Sequence, residues 1–299
     1  MMQEPIRGTW VALVTPYRNG RVDAEGLRRL VDRMIAGGVD GLVPCGCTGE
    51  GGILEMDEQA LVIRTTLEAA SGRVAVMAGT GTQSTRETIR LTRQARELGA
   101  GSAMVITPYY VKPTQEGLYR HYRAVIDEVG LPIMLYNVPG RTSVSMTPET
   151  MARVAAGGGV IGVKEASGSP EAVSRIHTLT DIPVLSGDDS MTLALMAVGA
   201  TGVVSVAANV VPAQVAKMVN AFSAGRVDEA RRVHESLAPL FRALFLETNP
   251  SPVKSALALL GRIEPEFRLP LVPVKPETER ALVEALEALG ESVPASSAR

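Results

Sequence analysis

Val160-Ile161-Gly162-Val163-Lys164 is the stretch from which the fold of this chain can be read. It is rich in Val and Ile and lacks polar alternation, as expected of a strand buried on both faces of a parallel sheet. The same kind of run recurs at 11–14, 41–43, 74–78, 103–106, 133–136, 182–186 and 202–206. Between the runs lie helix patterns. Leu27, Leu30, Val31, Met34 and Ile35 follow the i, i+3, i+4, i+7, i+8 rule, and Gly37-Gly38 stops that helix. Leu118, Tyr122, Val125, Ile126 and Val129 repeat the pattern before Gly130. Residues 191–200 are apolar nearly all round, which predicts a helix buried on several sides.

Eight βα units in series predict an α/β fold of the (β/α)8 TIM-barrel type. A doubly wound sheet is the rival, and eight repeats without a composition break favour closure. The barrel is expected to occupy 1–225 and to carry the catalytic groups. Residues 226–299 are expected to form a C-terminal helical extension, from periodicity at Leu237, Leu240, Phe241, Leu244 and Phe245, at 255–260, and at Leu282, Leu286 and Leu289. The Ser- and Ala-rich C-terminal residues read as a frayed tail.

Composition narrows the function. The chain has 299 residues, 45% of them hydrophobic, enough for a real core. A net charge of −2 and 4% aromatics give no reason to expect a nucleic-acid partner. No apolar stretch approaches the ~20 residues of a membrane span, and no signal-peptide pattern is read, so a soluble cytoplasmic protein is expected. Two cysteines write no disulfide framework and suit a reducing compartment. Three histidines, His121, His177 and His234, are too scattered for a metal cluster and read as surface residues. There are 25 arginines and only five lysines, at 112, 164, 217, 254 and 275.

In such a barrel the active site lies at the C-terminal ends of the strands. The unusual residues gather there: Gly46-Cys47-Thr48-Gly49-Glu50-Gly51, Thr107-Pro108-Tyr109-Tyr110, Tyr136-Asn137 with Arg141 beyond, Lys164-Glu165, and Gly187-Asp188-Asp189. Only Lys164 among the lysines falls inside an expected strand. Lys112, Lys254 and Lys275 flank prolines in loops or at helix starts, and Lys217 belongs to a helix surface. Lys164 is either half of a buried ion pair or a desolvated amine that attacks a ketone to form a Schiff base. The Gly-rich turn is either a structural βα turn or a nest of amides for a carboxylate. Tyr110 and Tyr136 are either packed in the core or proton-transfer groups. Arg141 is either a plain surface arginine or a bidentate clamp for a second carboxylate. The Cys45-x-Cys47 pair alternates faces of a strand end and does not suggest zinc. Asp188-Asp189 reads as a cap on the following helix rather than a metal site.

These residues resemble a known family. Gly46-Cys47-Thr48-Gly49-Glu50, Tyr136-Asn137-Val138-Pro139-Gly140-Arg141-Thr142 and Gly162-Val163-Lys164-Glu165-Ala166-Ser167 resemble signatures of the dihydrodipicolinate synthase and N-acetylneuraminate lyase family. The stretches 107–119, 186–209 and 247–254 also resemble it, so the likeness covers essentially the whole chain. The Tyr-Asn-Val-Pro-Gly-Arg-Thr stretch looks like the dihydrodipicolinate synthase branch. That resemblance implies condensation of pyruvate with L-aspartate 4-semialdehyde, on the route to lysine and diaminopimelate.

By resemblance, Lys164 carries the pyruvate Schiff base, Tyr136 is the acid/base residue, and Tyr110 reaches into a neighbouring subunit's site. Thr48 and the turn amides around Gly46 hold the pyruvate carboxylate, with Gly187 and Val204 beside it, and Arg141 binds the semialdehyde's carboxylate. The resemblance further implies a homotetramer and neither metal nor dinucleotide cofactor. Another class I aldolase or sugar-acid dehydratase is the alternative within the family, and a catalytically impaired keto-acid-binding barrel is the alternative outside enzymes.

Two departures stand out. Cys47 occupies a position where the family generally has Thr or Ser linking two tyrosines, and a thiol is the weaker hydrogen-bonding group. The regulatory lysine pocket of feedback-inhibited relatives maps to positions including Gln83, Glu87 and Tyr109. Glu87 and Tyr109 keep the pattern, but Gly51, Gly52, Met56 and Gln59 depart from it, so weak or absent lysine inhibition is expected.

Overall fold

The computed structural model describes residues 6–294, so the Ser- and Ala-rich C-terminal tail lies outside the described residues. In chain order the strands are β1 (Gly8–Ala12), a small antiparallel pair β2 (Tyr17–Arg18) and β3 (Arg21–Val22), then β4 (Gly41–Val43), β5 (Ala75–Gly79), β6 (Ser102–Ile106), β7 (Ile133–Asn137), β8 (Val160–Glu165), β9 (Val184–Ser186) and β10 (Gly202–Ser205). All but β2 and β3 are parallel, and β1 pairs with both β4 and β10, which closes the barrel. The expected runs overlap every barrel strand. The first is displaced, because pairing starts at Gly8 opposite Gly202, while the apolar Leu13 and Val14 are buried just past the strand end.

The helices are α1 (Ala24–Ala36), α2 (Met56–Ala70), α3 (Thr85–Glu97), α4 (Gln115–Val129), α5 (Pro139–Thr142), α6 (Pro148–Ala156), α7 (Pro170–Leu179), α8 (Thr192–Ala197) and α9 (Pro212–Ser223). Side chains fix several starts: Asp23, Ser84, Thr114, Thr147 and Ser169 each accept a backbone N–H of the first turn. Such a cap contributes about 1 kcal/mol. On α1 the predicted stripe is buried at Leu27, Leu30, Val31 and Met34 and half-buried at Ile35. Helix α8 is shorter than its apolar sequence suggests, and Ala194 and Ala197 face solvent, a position that small apolar side chains tolerate. The β2–β3 pair and the single turn α5 are too short to carry a period.

Beyond residue 225 come α10 (Val227–Ala243), α11 (Ser251–Leu259) and α12 (Pro276–Ala288). The stripe on α10 buries Leu237, Leu240 and Phe241, but the helix stops before Phe245, which is exposed. No helix among the described residues is long and apolar enough to cross a membrane.

Strand side chains alternate between two clusters. Val105, Leu135 and Val163 point outward to the helices. Trp10, Met77, Met104, Met134, Leu185 and Val204 belong to the cluster that fills the barrel. Trp10 lies against Gly41, where an added Cβ would come within 2.6 Å of the indole ring, and its Nε1 donates to the Arg7 carbonyl at 3.1 Å.

Candidate active site

Strand register brings the two principal candidates together. Tyr136 on β7 pairs with Lys164 on β8, and the Lys164 ammonium lies 4.1 Å from the Tyr136 ring centroid. Both are buried, and Lys164 forms no ion pair among the described residues. Burial lowers its pKa from 10.5 to about 8, opposed by Cys47 and Asp189 and reinforced by Arg141. The result is an amine that exists partly in its nucleophilic form near neutral pH. Burial, then the neighbouring Cys47, pushes the Tyr136 phenol well above its ordinary range, against a smaller opposing effect of Arg141. Tyr136 is therefore a neutral hydroxyl beside a potential imine.

The ion-pair alternative belongs instead to Lys254. It sits in the first turn of α11, at a helix start as expected, is 1% exposed, and bonds Glu50 at 2.6 Å. Proline neighbours masked this burial in the sequence.

The Gly-rich turn follows β4 and is compressed. A Cβ at Gly49 would lie 2.8 Å from the Leu13 carbonyl oxygen, and one at Gly51 would lie 2.0 Å from that of Cys45. Both cysteines lie in this turn, since the strand ends at Val43, which corrects the expectation that they alternate on a strand end. Cys45 is buried, with burial pushing its thiol up to about 12, and Cys47 faces the cleft beside Tyr136. The amides of Cys47 and Thr48 donate to no protein acceptor among the described residues. A nest of such amides can receive an anion. The Thr48 hydroxyl accepts from Asn249 Nδ2 at 3.0 Å.

Arg141, on α5, lines the same cavity of about 360 Å³ as Gly46, Cys47, Tyr109, Tyr136 and Asn249, and it donates to the Asn249 carbonyl at 3.2 Å. Gly187 packs on the lysine stem, where an added Cβ would approach Lys164 Cε to 3.1 Å. Val204 lies in the interior cluster with Tyr136. Tyr110 is 89% exposed, in the left-handed region at φ 68°, and does not join this group within the chain. Tyr109 is half-buried, and burial, then Cys47, raises its pKa.

Around the expected regulatory positions, Gln83 is exposed and Glu87 is bound by Arg90 at 2.5 Å, which holds its carboxyl below the usual range. Arg90 also contacts the Met56 sulfur.

Some supporting residues either carried no readable role or were read differently from the sequence. Glu165 accepts from Asn137 Nδ2 at 2.9 Å and from the Ser167 amide at 2.6 Å, joining the ends of β7 and β8. Asp189 does not cap the following helix with its side chain. Its carboxylate accepts from Ser205 and from the Val206 and Ala207 amides, tying the end of β9 to that of β10. His121 is buried, not a surface residue: it bonds Thr85 at 3.0 Å, and burial lowers its pKa to about 4. Asn249 lies in the stretch 247–254 that resembles the family, but no local pattern marked it.

The sequence profile of the Dihydrodipicolinate synthetase family matches residues 5–289. The chain is 50% identical over 286 residues to the 4-hydroxy-tetrahydrodipicolinate synthase of Pelobacter propionicus, covering 95% of this chain and 99% of that protein. It superposes on the crystal structure of dihydrodipicolinate synthase from Aquifex aeolicus with a TM-score of 0.94 at 43% identity, covering 96% and 99% of the two chains. A similar match is the chloride-inhibited dihydrodipicolinate synthase from Acinetobacter baumannii complexed with pyruvate, with a TM-score of 0.93, 41% identity, and 96% and 100% coverage.

Proposed function

The chain belongs to the dihydrodipicolinate synthetase family, and on that premise we propose a pyruvate-condensing enzyme with Lys164 as its nucleophile. Its reaction is that of a 4-hydroxy-tetrahydrodipicolinate synthase: pyruvate and L-aspartate 4-semialdehyde combine, serving lysine and diaminopimelate synthesis. The neutral Lys164 amine adds to the pyruvate ketone and water leaves, giving an iminium. Loss of a methyl proton turns this into an enamine, whose carbon attacks the aldehyde. The substrate's own amine then displaces Lys164 as the ring closes.

Tyr136 is the hydroxyl placed to carry protons at these steps, with Cys47 beside it. Thr48 and the amides of the turn receive the pyruvate carboxylate, with Gly46, Gly187 and Val204 shaping its seat. Arg141 takes the second carboxylate. That clamp favours the semialdehyde over the polyol aldehyde of a sugar-acid lyase. We place the reaction in the cytoplasm, where the free thiols of Cys45 and Cys47 are at home.

The observation that carries the reading is a buried Lys164, without an ion pair among the described residues, opposite Tyr136 in the barrel register. The test is borohydride reduction in the presence of pyruvate, followed by peptide mass spectrometry. The reduced adduct is expected on Lys164 and absent from Lys164→Ala. Adduct formation without turnover of the semialdehyde would favour a different aldehyde acceptor.

A further inference from the structure

We propose that Asn249 is a positioning residue that orients both carboxylate-binding groups, Thr48 and Arg141; the proposal rests on the pyruvate reading of the site. Asn249 stands two residues before α11, 201 residues along the chain from Thr48, yet it is only 5% exposed and lines the cavity that Cys47, Tyr136 and Arg141 share. Its Nδ2 donates to the Thr48 hydroxyl oxygen at 3.0 Å. An amide nitrogen has only protons to offer, so the hydroxyl is the acceptor in that bond. The single proton of Thr48 donates to no protein acceptor among the described residues and is left free for an anion. The Asn249 carbonyl accepts from Arg141 Nη2 at 3.2 Å, which anchors one edge of the guanidinium and leaves its other donors for a substrate.

One residue thus touches the group for each carboxylate. The Oδ1 atom of Asn249 is buried with no hydrogen-bond partner, so the amide is held by its bond to Thr48 alone.

The two contacts differ in origin, which yields a distinctive pattern. The Thr48 bond uses the side chain and is lost on substitution, whereas the Arg141 bond uses the backbone and survives. Asn249→Ala is expected to raise the KM for pyruvate about tenfold, with kcat and the semialdehyde KM each changed less than about threefold. Asn249→Asp is the more telling variant. It keeps the size and shape of asparagine, but its carboxylate accepts the Thr48 proton and sets a negative charge beside the anion. It is expected to impair pyruvate binding more than alanine does, the reverse of the order a packing role would give.

Thr48→Val combined with Asn249→Ala is expected to be no worse for pyruvate than Thr48→Val alone. The measurements are steady-state kinetics in a coupled reductase assay and the pyruvate dependence of borohydride trapping. A pyruvate KM within twofold of the unaltered enzyme in Asn249→Asp, or additive effects in the double variant, would overturn the proposal. If Asn249→Ala does not fold, Asn249→Leu, which is of similar size and has no donor, takes its place both alone and combined with Thr48→Val. Trapping on the unaltered enzyme separates the two claims: no adduct there overturns the Lys164 reading and this one with it, whereas an adduct whose pyruvate dependence ignores Asn249 overturns this one alone.

Discussion

Lys164 can react only after it has lost a proton, and its burial sets the pH at which that happens. With a pKa of about 8, the ammonium predominates below that pH and the nucleophilic amine above it. The rate of pyruvate adduct formation is therefore expected to rise about tenfold per pH unit on the acid side and to level off above pH 8. A flat profile from pH 6 to 9 would show that the amine is not the titrating group. Cys47 touches the next step, because a thiol bonds Tyr136 more weakly than a hydroxyl does. Cys47→Thr is expected to raise kcat severalfold while the amount of trapped adduct stays the same; unchanged turnover would mean that proton transfer through residue 47 is not limiting. At this scale the sequence was legible wherever a polar residue interrupted an apolar strand, as at Lys164. It was not legible at Lys254, Asp189 or Asn249, because their partners lie far away in the chain and no local pattern marks them.

The turn after β4 and the start of α11 are joined by one buried ion pair, with further contacts around it. Lys254 and Glu50 pair inside the protein, Lys254 lies 4.1 Å from the Tyr17 ring centroid, and Arg268 bonds Glu58 at 2.6 Å. Burial lowers the pKa of Lys254 and raises that of Glu50, and each charge counters the shift in the other. Lys254→Met would strand a buried carboxylate, at a cost of about 3–5 kcal/mol. Urea unfolding is expected to show that loss, and adding Glu50→Gln is expected to recover much of it. Equal stability of the single and double variants would mean that the pair does not couple. Gly51, Gly52, Met56 and Gln59 depart from the regulatory pattern, and on α3 the Glu87 carboxylate is shared with Arg90, so L-lysine is expected to inhibit weakly or not at all. A sub-millimolar inhibition constant would contradict this. Periodicity revealed the helices because their buried stripes repeat, and unbroken apolar runs revealed the strands. It was silent on α5 and the β2–β3 pair, which are shorter than one period. We propose to regard 1–225 as the catalytic barrel and 226–299 as an extension that completes its site through Asn249 and Lys254.

At the scale of the whole molecule, the rim carries apolar surface that a single chain leaves uncovered. Tyr110 is 89% and Leu269 81% exposed, with Val111 also exposed beside Tyr110. We propose a homotetramer in which Tyr110 enters a neighbour's cleft. Light scattering coupled to size exclusion is expected to give four times the chain mass, and a stable monomer with full activity would rule the arrangement out. The barrel also carries its own optical reporter. Trp10 is the sole tryptophan, buried against Gly41 in the lining of β1, whereas the reacting groups stand at the strand ends. Its emission therefore reports, in one unmixed signal, whether the ring of strands is closed, while substrate events at the rim reach it only through the staves between.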